Sequence, residues 1–191
     1  MNHLKQLTLL AALVFAAPAL AQDYQLFGGM YGYSGNKLYP NPYTGGASCP
    51  QGYATYQILG TVNLDNPVYY CGRTPSGSMV PVADFGGLFS NGYVNTLTGA
   101  FNCPTGYTAT RVLGTYGSDY ELFFCHKAGT SNTRWRLGGM FGGYRSATAE
   151  QLYYPNPITT TNTCPADYVT SQNLGTPNVD YPVYSCFREM Y

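Results

Sequence analysis

Six cysteines divide this chain into three copies of one unit. They fall as Cys49 and Cys71, Cys103 and Cys125, Cys164 and Cys186, with the same 22-position separation each time. A proline follows each first cysteine (Pro50, Pro104, Pro165), and a tyrosine stands four residues after it (Tyr53, Tyr107, Tyr168). Leu59-Gly60-Thr61, Leu113-Gly114-Thr115 and Leu174-Gly175-Thr176 share one offset, and Asp65, Asp119 and Asp180 share another. An apolar-aromatic pair leads into each second cysteine: Val68-Tyr69, Leu122-Phe123 and Val183-Tyr184. Upstream, Asn41, Asn95 and Asn156 each precede the first cysteine by the same interval, with Thr44, Thr98 and Thr159 three residues on. Further back stand Gly28-Gly29, Gly86-Gly87 and Gly138-Gly139, each followed by an apolar residue and an aromatic. Self-similarity of this kind marks a fold built from repeated supersecondary units. The repeats run over about 24–75, 83–126 and 136–191. Length varies only between the glycine pair and the asparagine, which marks a hairpin loop.

Each copy reads as strands. Residues 54–59 and 108–113 are rich in β-branched and aromatic residues and are bounded by Gly and Pro. No window shows a capped 3.6-residue period. One small sheet cannot bury its inner face alone, so three of them must pack around a common pseudo-threefold axis. The expected fold is all-β, a three-repeat pseudo-threefold β-prism, with a β-trefoil as the alternative. The paired glycines suit close backbone approach at that axis.

Residues 1–21 read as an export signal: Lys5 in a short polar start, an apolar run over 9–17, and the small-x-small site Ala19-Leu20-Ala21. Its removal leaves roughly 170 residues, enough for one domain (22–191) with a sizeable core. Six cysteines behind such a signal imply a disulfide framework, and the repetition favours one bridge within each copy. Each closed loop contributes about 3 kcal/mol in the chain-entropy view. The expected location is the periplasm or the cell exterior.

Charged residues make up only 9% of the chain, and the mature balance is 8 basic to 9 acidic. That excludes nucleic-acid binding driven by bulk charge. Glycine (23) and tyrosine (20) dominate instead, and tyrosine covers a surface with an apolar ring and a wet hydroxyl.

Side-chain chemistry is sparsely supplied. The mature chain keeps a single histidine, His126, beside a disulfide cysteine. No nucleophile elbow, zinc-protease motif or phosphate-cradling loop occurs, so the chain is read as non-enzymatic, with no cofactor and no metal. The Asn-Pro-x-Thr segments at 41–44 and 156–159 suit type I turns, with Asn first and Pro second. The same Asn, with Tyr and the repeated Asp, would also suit three equivalent sugar pockets. The aspartates alternatively satisfy backbone donors at turns.

One feature is not threefold. No acidic residue lies between Glu121 and Glu150, whereas Lys127, Arg134, Arg136 and Arg145 are basic and the single tryptophan, Trp135, sits among them. Indole beside guanidinium suits headgroup-level membrane contact or an anionic saccharide. Alternatively, the segment links two repeats, with Trp135 packed on a neighbouring sheet and its arginines in water.

The frame Gly28-Gly29-Met30-Tyr31, Asn41-Pro42-Tyr43-Thr44-Gly45, Cys49-Pro50-Gln51-Gly52-Tyr53 and Val68-Tyr69-Tyr70-Cys71 resembles the repeat of accessory domains in perforin-like proteins of the macrophage-expressed type. That resemblance spans all three repeats. It implies a threefold β-prism that docks onto membranes, here without the pore-forming domain. Repeat 2 departs from the frame at Asn95-Thr96-Leu97-Thr98-Gly99, which lacks the proline, and repeat 3 has Ala166-Asp167 where a glycine would stand. The leading expectation is therefore a secreted binding module for a membrane surface or its glycolipids. Two alternatives stand beside it. One is a lectin: Asn66-Pro67-Val68-Tyr69-Tyr70 partly resembles a β-prism sugar motif, with Leu64 where that motif has Asp. The other is a self-assembling structural protein, permitted by low charge. Expected partners are a membrane surface or glycoconjugate, or further copies of the chain, and no nucleic acid.

Overall fold

A computed structural model describes residues 23–60, 66–77, 80–114, 121–129, 134–145, 151–175 and 182–190, with only the backbone for 144–145 and 151–153. The export signal read over 1–21 and the repeated Asp65, Asp119 and Asp180 lie outside the described residues. The described chain is all-β, without a helix. Repeat 1 supplies β1 (Leu26–Ser34), β2 (Lys37–Tyr39), β3 (Ala54–Leu59) and β4 (Val68–Arg73). Repeat 2 supplies β5 (Ala83–Ser90), β6 (Thr108–Leu113) and β7 (Leu122–Ala128). Repeat 3 supplies β8 (Trp135–Arg145), β9 (Gln151–Tyr154), β10 (Val169–Leu174) and β11 (Val183–Glu189).

Pairing is antiparallel throughout and repeats one order: β3-β4-β1 with β2 beside β1, then β6-β7-β5, then β10-β11-β8-β9. Two sheets result, of 7 and 4 strands. The larger holds two repeats because a single residue pair, Phe27 with Ala83, joins β1 to β5. A second isolated bridge, Gln25 with Leu137, ties repeat 1 to repeat 3. The bridges Cys49–Cys71, Cys103–Cys125 and Cys164–Cys186 each close within one repeat. Three intrachain disulfides are compatible with an oxidising, extracytoplasmic environment.

The glycine pairs have a different cause from the expected backbone approach at an axis. A Cβ on the first glycine would meet the ring of Tyr53, Tyr107 or Tyr168 at 2.5, 2.4 and 2.4 Å. The second glycine sits at φ 91, 90 and 87°, and its Cβ would meet the Oδ1 of Asn41, Asn95 or Asn156 at 2.3, 2.2 and 2.2 Å. Each pair therefore makes a bulge that seats a tyrosine ring and an asparagine amide of its own repeat. The asparagines are fully buried. Asn41 Nδ2 donates to Gly28 O (3.0 Å) and Ser48 O (3.2 Å), and Oδ1 accepts from Tyr43 N (3.0 Å). Asn95 and Asn156 repeat the pattern. They are turn locks with their polar atoms engaged inside the protein, which removes them from any sugar pocket.

Close approach between repeats falls elsewhere. A Cβ on Gly32 would lie 2.3 Å from Val112 O, and one on Gly142 would lie 2.0 Å from Ile58 O. Three tyrosine hydroxyls also cross between repeats, each donating to a neighbour's glycine carbonyl: Tyr39 to Gly114, Tyr93 to Gly175 and Tyr154 to Gly60. The direction is repeat 1 to 2, 2 to 3, and 3 to 1.

The buried apolar cluster draws on all three copies. Met30, Leu88 and Met140 reach it from one repeated position, and Val68, Leu122 and Val183 from another. Phe27 meets Phe85 edge-on at 5.2 Å and Phe124 at 5.9 Å. Each such side chain contributes about 1.5–3 kcal/mol through burial. Repeat 3 places polar residues where the others are apolar: Asn173 for Ile58 and Val112, Ser185 for Tyr70 and Phe124. Ser185 donates to Asn173 Oδ1 (2.8 Å) and Asn173 Nδ2 donates to Ser171 (3.0 Å), so this buried amide is partnered.

Repeat 3 also lacks two glycines at left-handed positions. Thr160 (φ 58°) stands where repeats 1 and 2 have Gly45 and Gly99, and Asp167 (φ 65°) where they have Gly52 and Gly106. A β-branched residue there carries steric strain. Thr160→Gly is expected to raise stability by about 1 kcal/mol despite the glycine's extra unfolded-state entropy. A higher urea midpoint at unchanged slope checks this; a lower midpoint would show the turn relieves the strain already. Asp167→Gly gains less, since Asp tolerates this region.

Candidate functional site: an aromatic groove in repeat 3

In β8 and β11 the register sets Phe141 opposite Tyr184. Their rings stack at 4.9 Å and 15°. Alternation along the strands sends Met140 and Val183 into the core and turns this pair to the other face. The segment around Cys164 runs beside the rings, and together they enclose a groove of about 680 Å³. Tyr184 offers ring surface backed by the buried Phe141, while Asn162, Thr163 and Thr170 offer amide and hydroxyl groups. No residue lining the groove is charged. The volume falls within the range of small-ligand pockets, about 300–1,000 Å³.

Tyr168 also lines the groove. Its ring is seated on Gly138 and carries the Arg188 guanidinium at 4.7 Å. Arg188 in turn pairs with Asp23 at 3.1 Å. Burial, seconded by the Asp23 charge, pushes the Tyr168 hydroxyl up to about 12, so it stays a neutral donor. Its counterparts have partners: Tyr53 accepts from Val82 N (3.0 Å) and Tyr107 donates to the Asp84 carboxylate. The Tyr168 hydroxyl is buried without a hydrogen-bond partner.

The basic segment is arranged differently from a bare cationic patch. Trp135 opens β8, half-buried, with its indole edge-on to Phe187 at 6.1 Å. Arg134 lies 4.9 Å over that indole and pairs with Glu189 at 2.7 Å. Arg136 stacks on Tyr24 at 4.3 Å. Asp84 shares a 20 Å³ cavity with Trp135 and Arg136, and it is the cross-strand neighbour of the exposed Lys127. Arg145 ends the same 11-residue strand that Trp135 begins, which separates the two backbones by about 30 Å. The fold thus gathers Arg134, Trp135 and Arg136 with carboxylates among them, and leaves Arg145 at the far end.

His126 is a buried structural residue. Its Nδ1 is 2.6 Å from the Tyr43 hydroxyl and its Nε2 is 2.7 Å from the Thr110 hydroxyl. It thereby joins the repeat 1 turn to repeat 2. Tyr43 itself is pushed up to about 12 by burial and then by the Asp84 charge. Burial lowers the His126 pKa from its ordinary 6.5, so the unfolded chain takes up a proton before the folded one. Stability is complete above about pH 6.5 and falls as pH drops below it. His126→Gln is expected to flatten that decline between about pH 7 and 5 in urea titrations. An unchanged pH slope would locate the acid sensitivity elsewhere.

Three residues of the partial lectin motif are engaged within the protein. Val68 and Tyr70 are fully buried, the Tyr70 hydroxyl donates to Gln25 (2.9 Å), and Asn66 Oδ1 accepts from Gly35 N (2.8 Å). No protein-family model matches this chain, and no curated protein matches it either.

Proposed function

We propose that this chain is a non-enzymatic saccharide-binding module of the exported, disulfide-stabilised kind, whose ligand is a neutral glycan carried by a glycolipid or another glycoconjugate. The observation that carries this is the groove in repeat 3: a stacked aromatic pair, an amide and hydroxyl rim, and no charge in the lining. Aromatic rings take the apolar face of a sugar, and neutral donors and acceptors take its hydroxyls. The uncharged lining favours neutral over anionic sugars. The carboxylates among Arg134, Trp135 and Arg136 weaken attraction to anionic headgroups, since each well-placed basic residue is worth only about 1 kcal/mol there.

The module is a β-prism in this proposal, its three repeats closing around a pseudo-threefold axis. The cyclic direction of the tyrosine-to-glycine bonds supports it. So does the confinement of strand pairing to each repeat, apart from the pairs Phe27–Ala83 and Gln25–Leu137. The resemblance to the accessory repeat of perforin-like proteins supports a surface-docking role.

Calorimetric titration with lactose, N,N′-diacetylchitobiose and maltotriose, guided by a glycan array, tests the function. Saturable binding to a neutral glycan is expected, weakened about tenfold by Tyr184→Ala, the equivalent of about 1.4 kcal/mol. No saturable binding to any arrayed neutral glycan, or flotation with plain anionic vesicles that depends on Trp135, would overturn it.

A further inference from the structure

We infer that repeat 1 carries a second saccharide face and that repeat 2 does not, so that one chain holds two glycans; this rests on the saccharide reading of the repeat 3 groove. In repeat 1, Tyr31 and Tyr69 occupy the positions of Phe141 and Tyr184, and their rings stack at 5.0 Å and 20°. The rim keeps its hydroxyls, with Ser48 for Thr163, and loses its amide, since Ala47 stands where repeat 3 has Asn162. Thr55 stands for Thr170, and each hydroxyl lies against its own disulfide, at 3.2 Å from Cys49 Sγ and 3.1 Å from Cys164 Sγ. Gly32 and Pro67 stand for Gly142 and Pro182, so the floor beside the rings has the same small, uncharged residues. Tyr31 is buried with its hydroxyl on Thr55, so it backs Tyr69, which presents the ring of this pair.

Repeat 2 has the ring pair but not the rest. Phe89 and Phe123 stack at 5.0 Å without a hydroxyl between them. Ala109 replaces the rim threonine, and the exposed Phe101 stands where repeat 3 has Asn162. The Arg111 guanidinium lies 5.2 Å over the Phe123 ring and pairs with Glu121 at 2.9 Å, and Glu121 takes the position of the lining Pro182. In the other repeats the residue at the Arg111 position is glutamine, and it turns to a glycine carbonyl and a neighbour's tyrosine: Gln57 to Gly60 and Tyr154, Gln172 to Gly175 and Tyr93. Repeat 2 thus replaces a polar rim with an ion pair laid over its aromatic face.

Two faces on one rigid domain make the chain a crosslinker, gaining avidity on a surface that presents many copies of one glycan. Thr55 and Thr170 are exposed strand positions, so Thr55→Arg and Thr170→Arg block one face each without touching the core. Calorimetry uses the tightest-binding glycan among lactose, N,N′-diacetylchitobiose and maltotriose, and agglutination uses beads coated with it. The expected stoichiometry is two per wild-type chain and one for either variant. Beads should agglutinate with wild type and with neither variant. One site lost in Thr170→Arg and untouched in Thr55→Arg would overturn this inference while leaving the saccharide function intact. Absence of binding by wild type would overturn both.

Discussion

Gly142→Ala is expected to destabilise the fold by about 3 kcal/mol or more, the range of severe overpacking where backbone must move. The new Cβ would lie 2.0 Å from Ile58 O in repeat 1 and 2.7 Å from Pro182 O in its own repeat. Both are main-chain atoms, so no rotamer change relieves the clash. The response is separation of β8 from β3, which leads directly into Gly60, the acceptor of the Tyr154 hydroxyl. Gly32→Ala meets Val112 O at 2.3 Å and should behave alike. Repeat 2 supplies the control. Its residue at this position is Ser90, already bearing a Cβ and buried, and the facing residue in repeat 3 is Asn173 instead of Ile or Val. Ser90→Gly should therefore shift the thermal midpoint little. A Gly142→Ala midpoint equal to wild type would show that the strands at this junction part without cost.

Much of this architecture could be read before any coordinates. Strand boundaries at 54–59 and 108–113 followed from β-branched composition between Gly and Pro, and bridges within each copy followed from equal cysteine spacing. The turn role of Asn41 and Asn156 followed from the proline after each. What failed was the cause assigned to the glycine pairs. Repetition shows that a glycine is needed, but not whether a ring, an amide or a strand occupies the missing side chain's place. Tyr39, Tyr93 and Tyr154 carried a usable signal, since each precedes the repeated asparagine by two residues. Their role stayed hidden because a hydroxyl's partner in another repeat has no sequence neighbourhood. The stacked pairs were visible as two recurrent aromatic positions, and only the register of β8 against β11 showed that they meet. The carboxylates beside the basic segment were hidden for the same reason: Glu189 and Asp84, which sit among its cations, are distant in sequence.

Asn95→Asp changes one atom and is expected to cost about 3–5 kcal/mol near pH 7, the cost of an uncompensated buried charge. The asparagine is fully buried. Its Nδ2 donates to Gly86 O (2.8 Å) and Asn102 O (3.1 Å), while Oδ1 accepts from Leu97 N (3.0 Å). A carboxylate keeps the last bond but turns an oxygen toward two carbonyls, losing two donors and adding repulsion. Burial without a counter-ion drives the carboxyl's folded-state pKa up. The folded protein then holds a proton that the unfolded chain releases above about pH 3.9, so the variant loses stability as pH rises and regains it as pH falls. Wild type changes in the opposite sense below about pH 6.5 through His126, so the quantity to compare is variant minus wild type at each pH. That difference should shrink steadily from about pH 7 to 4.5. Asn95→Leu removes the same hydrogen bonds without a titratable group and should give a difference independent of pH. A flat profile for Asn95→Asp as well would assign the loss to packing around the amide, and the donors facing Gly86 and Asn102 would then contribute little to holding the turn against the glycine bulge.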